Sequence, residues 1–477
     1  MEIIENYPLS SAMWGRGGKM VFSSSIFLFL FLPVVLFVYY FCHDRVKNGW
    51  LLFASLFFYS WGEPKHILLM LSSIVINYFL GIGMEQSKEK SIKRKSLLLI
   101  TCVIDLGILL VFKYLDFGIQ TINTVFHTNF LLKELALPVG ISFYTFQVMS
   151  YCIDVYRGTV KAQRNILNLG LYISLFPQLI AGPIVRYIDV EVTLTKRTYG
   201  LEYLYLGAKR FMIGFSKKVL IADNLSTVAD LAFDTSISSM PLAWIGILAY
   251  SLQIYYDFSG YSDMAIGLGK MFGFDFMENF NYPYCSSSIQ EFWRRWHISL
   301  GSWFRDYVYI PLGGSRKKRY QTYLNVFFVF LLTGLWHGAS WNFVFWGVYY
   351  AVFLILERMF LKRWLLKLPV FFQHFYAVII VLFGWVLFRA EGLFGVASYF
   401  KTMFCFQLNL EEILLNISIE HFVFLIVGIF GSMPLLDKMK ERFLKEWFWE
   451  IVIFIFFILA VLTMVSRGFS PFLYFRF

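Results

Sequence analysis

Long apolar runs separated by short polar loops dominate the chain. Runs that read as membrane helices fall at 21–42, 50–62, 65–84, 97–113, 135–156, 203–224, 239–257, 323–337, 340–357, 370–389, 413–434 and 447–465. A crossing takes roughly 20 residues, so the pattern predicts an all-α polytopic membrane protein with about 11–12 transmembrane helices. Residues 165–183 form one more apolar run, but Pro177, Gly182 and Pro183 interrupt it. Backbone broken in that way suits a re-entrant segment better than a span. Run 50–62 is short and meets a tight Glu63-Pro64 corner, which leaves the count open by one or two. No fixed-period repeat is visible, which argues against a solenoid or a simple repeated transporter.

The polar loops carry the orientation. One side holds HDRVKNG, EQSKEKSIKRKS, RGTVKAQR, VRYIDVEVTLTKR, the long 258–322 segment, RMFLKRWLLKL and DKMKERFLKEW. Lysine and arginine gather in these loops, so they face the cytoplasm and both termini face outward. Hydrophobic residues make up 58% of the chain and charged residues 15%, with a net charge of +11. Soluble domains carry about 25% charged residues. The positive charge therefore belongs to topology rather than to nucleic-acid binding. Cys42, Cys102, Cys152, Cys285 and Cys405 are scattered and give neither a disulfide framework nor a metal motif. Met1–Lys19 is polar and reads as an extension upstream of a natural start at Met20. The apolar run after it is too long for a signal-peptide core and reads as the first span.

The long cytoplasmic segment contains EFWRRWHISLGSWFRDYVYIPLGGSR, Glu291–Arg316. Ser288 and Glu291 have capping-box spacing, and Pro311 with Gly313-Gly314 gives a stop, so the segment predicts one interfacial helix. At 100° per residue Phe292, Trp296, Trp303 and Tyr307 share a face, opposite Arg294, Ile298 and Arg305. His297 falls between the two faces. An interfacial anchor without chemistry would show the same stripe. A second histidine, His337, lies in LLTGLWHGASWNFVFWG, at the end of an apolar span. Gly334 and Gly338 are spaced for close helix approach there. An ionisable group at membrane depth is expensive and marks a candidate site, against the plainer reading of a hydrogen-bonded core histidine. Asp105, Lys113, Asp154, Lys217, Lys218 and Asp257 read as structural ion pairs or interface residues. Two histidines do not make a metal site, which needs three or four ligands, and none is expected.

The stretches EFWRRWHISLGSWFRDYVYIPLGGSR and LTGLWHGASWNFVFWGVYYA, taken in order, resemble the core of the membrane-bound O-acyltransferases. The alginate O-acetyltransferase branch is the nearer likeness. MVFSSSIFLFLFLP, LPVGISFYTFQVMSYCIDVYRG, SLFPQLIAGPIVRY, YSLQIYYDFSGYSDMAIGLGKMFGF, GWVLFRAE and PFLYFRF extend it over nearly the whole chain from Met20. The teichoic-acid D-alanylation branch shares the RWH and LWHG patterns, but the YIPLGGSRK ending here favours the alginate type. Met1–Lys19 has no counterpart.

The resemblance implies a single membrane domain over 20–477, with a catalytic core at about 250–357, that moves an acyl group outward. It places catalysis on His337 and, with a less defined role, on His297. Acetyl transfer to a hydroxyl needs a base, a held thioester and stabilisation of the tetrahedral oxygen. A neutral His337 suits the base. His297 can orient the thioester, assist proton transfer or hold the helix. Arg294, Arg295 and Arg305 are the candidates for the phosphates of acetyl-CoA, and Trp336 and Asn342 are further donor-site candidates. No bound cofactor is expected, acetyl-CoA entering as substrate. The expected partners are an outward-facing SGNH-type or similar acetylation protein and a polysaccharide acceptor, at the bacterial cytoplasmic membrane. D-alanyl transfer to teichoic acid, a transporter and a non-catalytic scaffold are the competing readings.

Overall fold

A computed structural model of the chain describes residues 20–179, 182–235, 239–435, 439, 445–467 and 472–473. The Met1–Lys19 extension lies outside them. Helices account for the regular structure of the described residues, with one isolated antiparallel bridge between Phe280 and Trp296. Every predicted span overlaps helix, although 413–434 is divided between Leu410–Asn416 and Ile419–Gly431 and the helix in 135–156 starts only at Ile141. Five are long and apolar enough to cross a membrane: Ile67–Gln86, Ile92–Phe126, Trp341–Leu365, Val370–Arg389 and Glu446–Arg467. Phe27–Phe41 and Ile419–Gly431 are shorter apolar helices. Phenylalanines and leucines in these helices remain exposed in the isolated chain, Phe29, Leu99, Phe371 and Leu462 among them. That is what helices solvated by lipid require, since apolar surface facing lipid carries no hydration penalty.

The chain divides into two compact units. The first draws on Met1–Phe215, Tyr261–Met277 and Phe454–Phe475. Its core includes Phe22, Phe27, Phe58 and Phe176, all buried and in ring contact. The interrupted run at 165–183 is here a helix, Ile166–Ser174, a break at Leu175, and a single turn, Phe176–Leu179. The Phe176 amide freed at the break donates to Ser55 Oγ at 3.1 Å. Asp105 is buried and accepts from Asn77 Nδ2 at 3.0 Å, and Lys113 reaches Ser142 Oγ at 3.4 Å. Asp154 pairs with Arg157 at 3.9 Å. These groups hold structure, as a polar residue at depth must when it is not functional.

The second unit comprises Ser216–Gly260, Glu278–Ile453 and Arg476–Phe477. Buried Lys218 lies 2.6 Å from an Asp223 oxygen and 2.8 Å from an Asp257 oxygen. A buried ammonium needs such partners, because desolvation without them costs several kcal/mol (order of magnitude). The Arg319–His337 and Trp341–Leu365 helices form a hairpin in which glycines replace side chains at the crossing. A Cβ on Gly334 would stand 2.2 Å from the Phe343 carbonyl oxygen, and one on Gly347 would stand 2.4 Å from that of Phe330. Gly338 plays a different part from the one its spacing suggested. Its backbone is extended and ends the helix, and the Phe343 ring occupies the space where a side chain would go.

Candidate active site

The site segment is not the single helix its capping box predicts. Ser288 does cap: its Oγ accepts from the Glu291 amide at 3.1 Å. Glu291 turns back to the Ser287 amide and hydroxyl at 2.9 and 2.8 Å. The helix then ends after seven residues, Ile289–Arg295. His297 sits in the left-handed region at φ 46°, and a second short helix runs Ile298–Phe304, followed by a π-type turn, Arg305–Tyr309. The cause is non-local. The upstream strand-like segment takes over the backbone groups that a continuous helix would use. Asn281 N–H donates to the Arg295 carbonyl at 2.9 Å, and Ile298 N–H donates to the Asn279 carbonyl at 3.0 Å. The two-faced wheel across 288–310 is therefore corrected. Its aromatic residues Phe292, Trp296, Trp303 and Tyr307 are nonetheless all buried, and Arg294 and Arg305 are exposed.

The break places His297 in the interior, only 1% exposed. Phe258 meets its ring edge-on at 4.7 Å, and Trp336 lies at 5.9 Å on a tilted plane. Its Nδ1 is 3.1 Å from Asn279 Oδ1. Burial drives its imidazole down from the ordinary 6.5 to about 3, so it is neutral at physiological pH. His337 is the last residue of its helix and is also buried. Trp336, Trp346 and Phe388 surround it at ring distances of 5.1, 5.0 and 5.2 Å. Trp336 thus contacts both histidines, and two imidazoles distant in sequence share one indole.

The remaining candidates separate by environment. Asn342 Nδ2 donates to the Ala390 carbonyl, which ties it to the end of the Val370–Arg389 helix. Arg295 pairs with Glu291 at 2.8 Å and donates to the Asn281 carbonyl at 3.1 Å. Arg305 chelates its neighbour Asp306 at 2.7 and 3.0 Å. Among the described residues Arg294 has no carboxylate within ion-pair distance; it lines an open cleft with Gln290, Lys362, Gln373 and Glu291, the last paired with Arg295. Lys362 in turn donates to Gln290 at 3.1 Å. Behind the cleft the buried Glu357 carboxylate accepts from the Ile289 and Gln290 amides at 2.7 and 2.9 Å, which fixes the start of the short helix. Sequence reasoning missed Phe258, Asn279, Trp346, Glu357 and Phe388, which meet the site only through the fold. Glu357 alone carried a signal, a carboxylate following an apolar span. Among the described residues no group of His, Cys, Asp and Glu converges to hold a metal.

A multi-helix membrane domain with two buried histidines on a shared aromatic wall defines the class: a polytopic membrane enzyme with a buried polar site. The chain belongs to the membrane-bound O-acyltransferase family, which residues 162–400 match, and it is an O-acyltransferase. It is 40% identical to a probable alginate O-acetylase of Pseudomonas putida, over 96% of this chain and 100% of that one. It is 36% identical to a peptidoglycan O-acetyltransferase of Helicobacter pylori, over 80% of each. To a teichoic acid D-alanyltransferase of Bacillus subtilis it is 32% identical, over 47% of this chain and 60% of that one.

Proposed function

We propose that the enzyme transfers acetyl groups from cytosolic acetyl-CoA to an exported polysaccharide at the bacterial cytoplasmic membrane, directly or through an outward-facing SGNH-type partner. The observation that carries this reading is the shared contact of His297 and His337 with Trp336. Two buried imidazoles against one indole support a proton-transfer site shielded from solvent. The probable alginate O-acetylase and the peptidoglycan O-acetyltransferase align over four-fifths or more of the chain, whereas the D-alanyltransferase aligns over about half. Acetyl transfer is therefore favoured over D-alanyl transfer.

In the proposed reaction His337 takes the proton of the attacking hydroxyl. The oxygen adds to the thioester carbonyl, the C–S bond breaks, and the leaving thiolate takes the proton from His337 and departs as the free thiol. The Trp346 and Phe388 rings exclude water, which would otherwise hydrolyse the thioester. Arg294, with no carboxylate within ion-pair distance among the described residues, is the arginine best suited to a donor phosphate. Arg295 and Arg305 already serve carboxylates.

The test uses the purified chain in lipid nanodiscs with radiolabelled acetyl-CoA and an acceptor polysaccharide. His337→Gln should lose at least about a hundredfold in turnover at unchanged folded yield, the range for removing a general base. Arg294→Gln should raise the KM for acetyl-CoA about ten- to hundredfold, the equivalent of one charge-assisted contact. Near-normal turnover in His337→Gln would refute the base assignment. A wild-type protein inert toward acetyl-CoA but active with a D-alanyl thioester would refute the donor.

A further inference from the structure

His297 reaches the site with one face already committed. Asn279 Oδ1 accepts the Ser299 amide at 3.2 Å and the Ser299 hydroxyl at 2.9 Å. A backbone N–H can only donate, so the atom facing it is the carbonyl oxygen of the Asn279 side chain and not its NH2. That same oxygen lies 3.1 Å from His297 Nδ1. Two acceptors cannot bond, so Nδ1 carries the proton. Burial keeps the ring neutral, and the lone pair is then on Nε2. Nε2 is fully buried and has no hydrogen-bond partner among the described residues. A buried lone pair left open is costly unless something arrives to fill it.

We propose that Asn279 is a positioning residue that locks His297 in the Nδ1–H tautomer, so that Nε2 accepts a hydrogen bond from an N–H or O–H of a bound substrate. Of the roles open to His297, this one makes Nε2 an acceptor toward substrate rather than leaving the ring as an anchor of the helix. The inference rests on the reading that His297 belongs to the acyl-transfer site. Phe258, Asn279, Ser299 and Trp336 face the ring, and none of them is charged. The oxygen of Asn279 therefore decides which nitrogen is protonated. Asn279 is itself fully buried, and its backbone carbonyl holds the Ile298 amide. One residue fixes both the left-handed turn at His297 and the tautomer of its ring.

The test has two arms. The first is solid-state nitrogen-15 spectroscopy of histidine-labelled protein in lipid, with the His297 signals assigned by their loss in His297→Gln. Wild type should show a protonated Nδ1 and a bare Nε2 near neutral pH. Asn279→Asp keeps the acceptor and should keep that tautomer, whereas Asn279→Ala should shift it toward Nε2–H or a mixture. The second arm measures O-ester content of the exported polysaccharide in cells at matched protein level, which does not presuppose the donor. Asn279→Ala should lower it about tenfold, the scale of one lost hydrogen bond, and Asn279→Asp should retain more than Asn279→Ala. A bare Nδ1 in wild type overturns the proposal even if no variant folds. So does an Asn279→Ala protein with a changed tautomer and unchanged esterification. Failure of acetyl-CoA as donor would refute the donor assignment and leave both arms standing.

Discussion

At the scale of single residues, the His297 imidazole is fully buried and packs against the edge of Phe258 and the side chain of Asn279. His337 announces itself in an apolar span, because keeping it there needs a reason, and His297 stands out among arginines and tryptophans. Its partner Asn279 does not, since an asparagine in a loop rich in Asn and Tyr is ordinary turn chemistry. The three arginines looked equivalent in sequence, and only the positions of Glu291 and Asp306 separate Arg294 from the other two. Burial of His297 carries a pH consequence with a definite sign. Its folded value is held down near 3 against an ordinary 6.5. Below about pH 6.5 the unfolded chain therefore binds a proton that the folded one refuses, and stability falls as pH drops through that window. Between pH 6.5 and 5 the loss is about 2 kcal/mol. We expect the thermal midpoint of wild type to fall over this range in nanodiscs, and the slope to flatten in His297→Gln. Equal slopes in the two proteins would mean that the imidazole is not buried as described.

At the scale of elements, hydropathy located the helices because lipid imposes one solution on an apolar backbone. It misread 288–310 because the turn at His297 has no local cause. Glycine or proline would have marked it, but a non-glycine residue at φ 46° is held by the segment at 279–281. The helix wheel ran through a break that long-range pairing creates. The Gly334 spacing was readable as a close approach of another helix, which Gly347 and the Phe343 carbonyl make, whereas Gly338 takes no part in the crossing and ends the helix. Two helical glycines give a matched pair of substitutions. Gly334→Ala pushes a methyl into the Phe343 carbonyl, and overpacking of this kind costs about 1–3 kcal/mol. Gly301 is exposed, and a Cβ there meets nothing closer than the Trp293 carbonyl oxygen at 3.8 Å. Gly301→Ala should be neutral or gain roughly 0.5–1 kcal/mol. Thermal midpoints in nanodiscs should separate the two, and a neutral Gly334→Ala would show that the hairpin crosses at a greater distance.

At the scale of the whole molecule, the strongest signal in the sequence is the segregation of basic loops, and it makes a prediction that needs only one introduced residue. The loop alternation puts Ser315, in the long basic segment, on the cytoplasmic side, and puts residues 390–412 outside. Cys405 lies in that outer stretch and is exposed and unpaired. It is therefore a native reporter of orientation. The other described thiols are buried or half-buried. A membrane-impermeant maleimide applied to intact cells should label wild type, and Cys405→Ser should abolish the labelling. In the Cys405→Ser background, Ser315→Cys should stay unlabelled until the membrane is permeabilised. The orientation matters for the chemistry because Arg294 and Lys362 flank a cleft on the same basic side, within the loops where a cytosolic thioester would arrive. Labelling of Ser315→Cys in sealed cells would invert the whole arrangement. It would place the basic cleft outside, remove the route for a cytosolic donor, and leave the acyl group with no direction in which to travel.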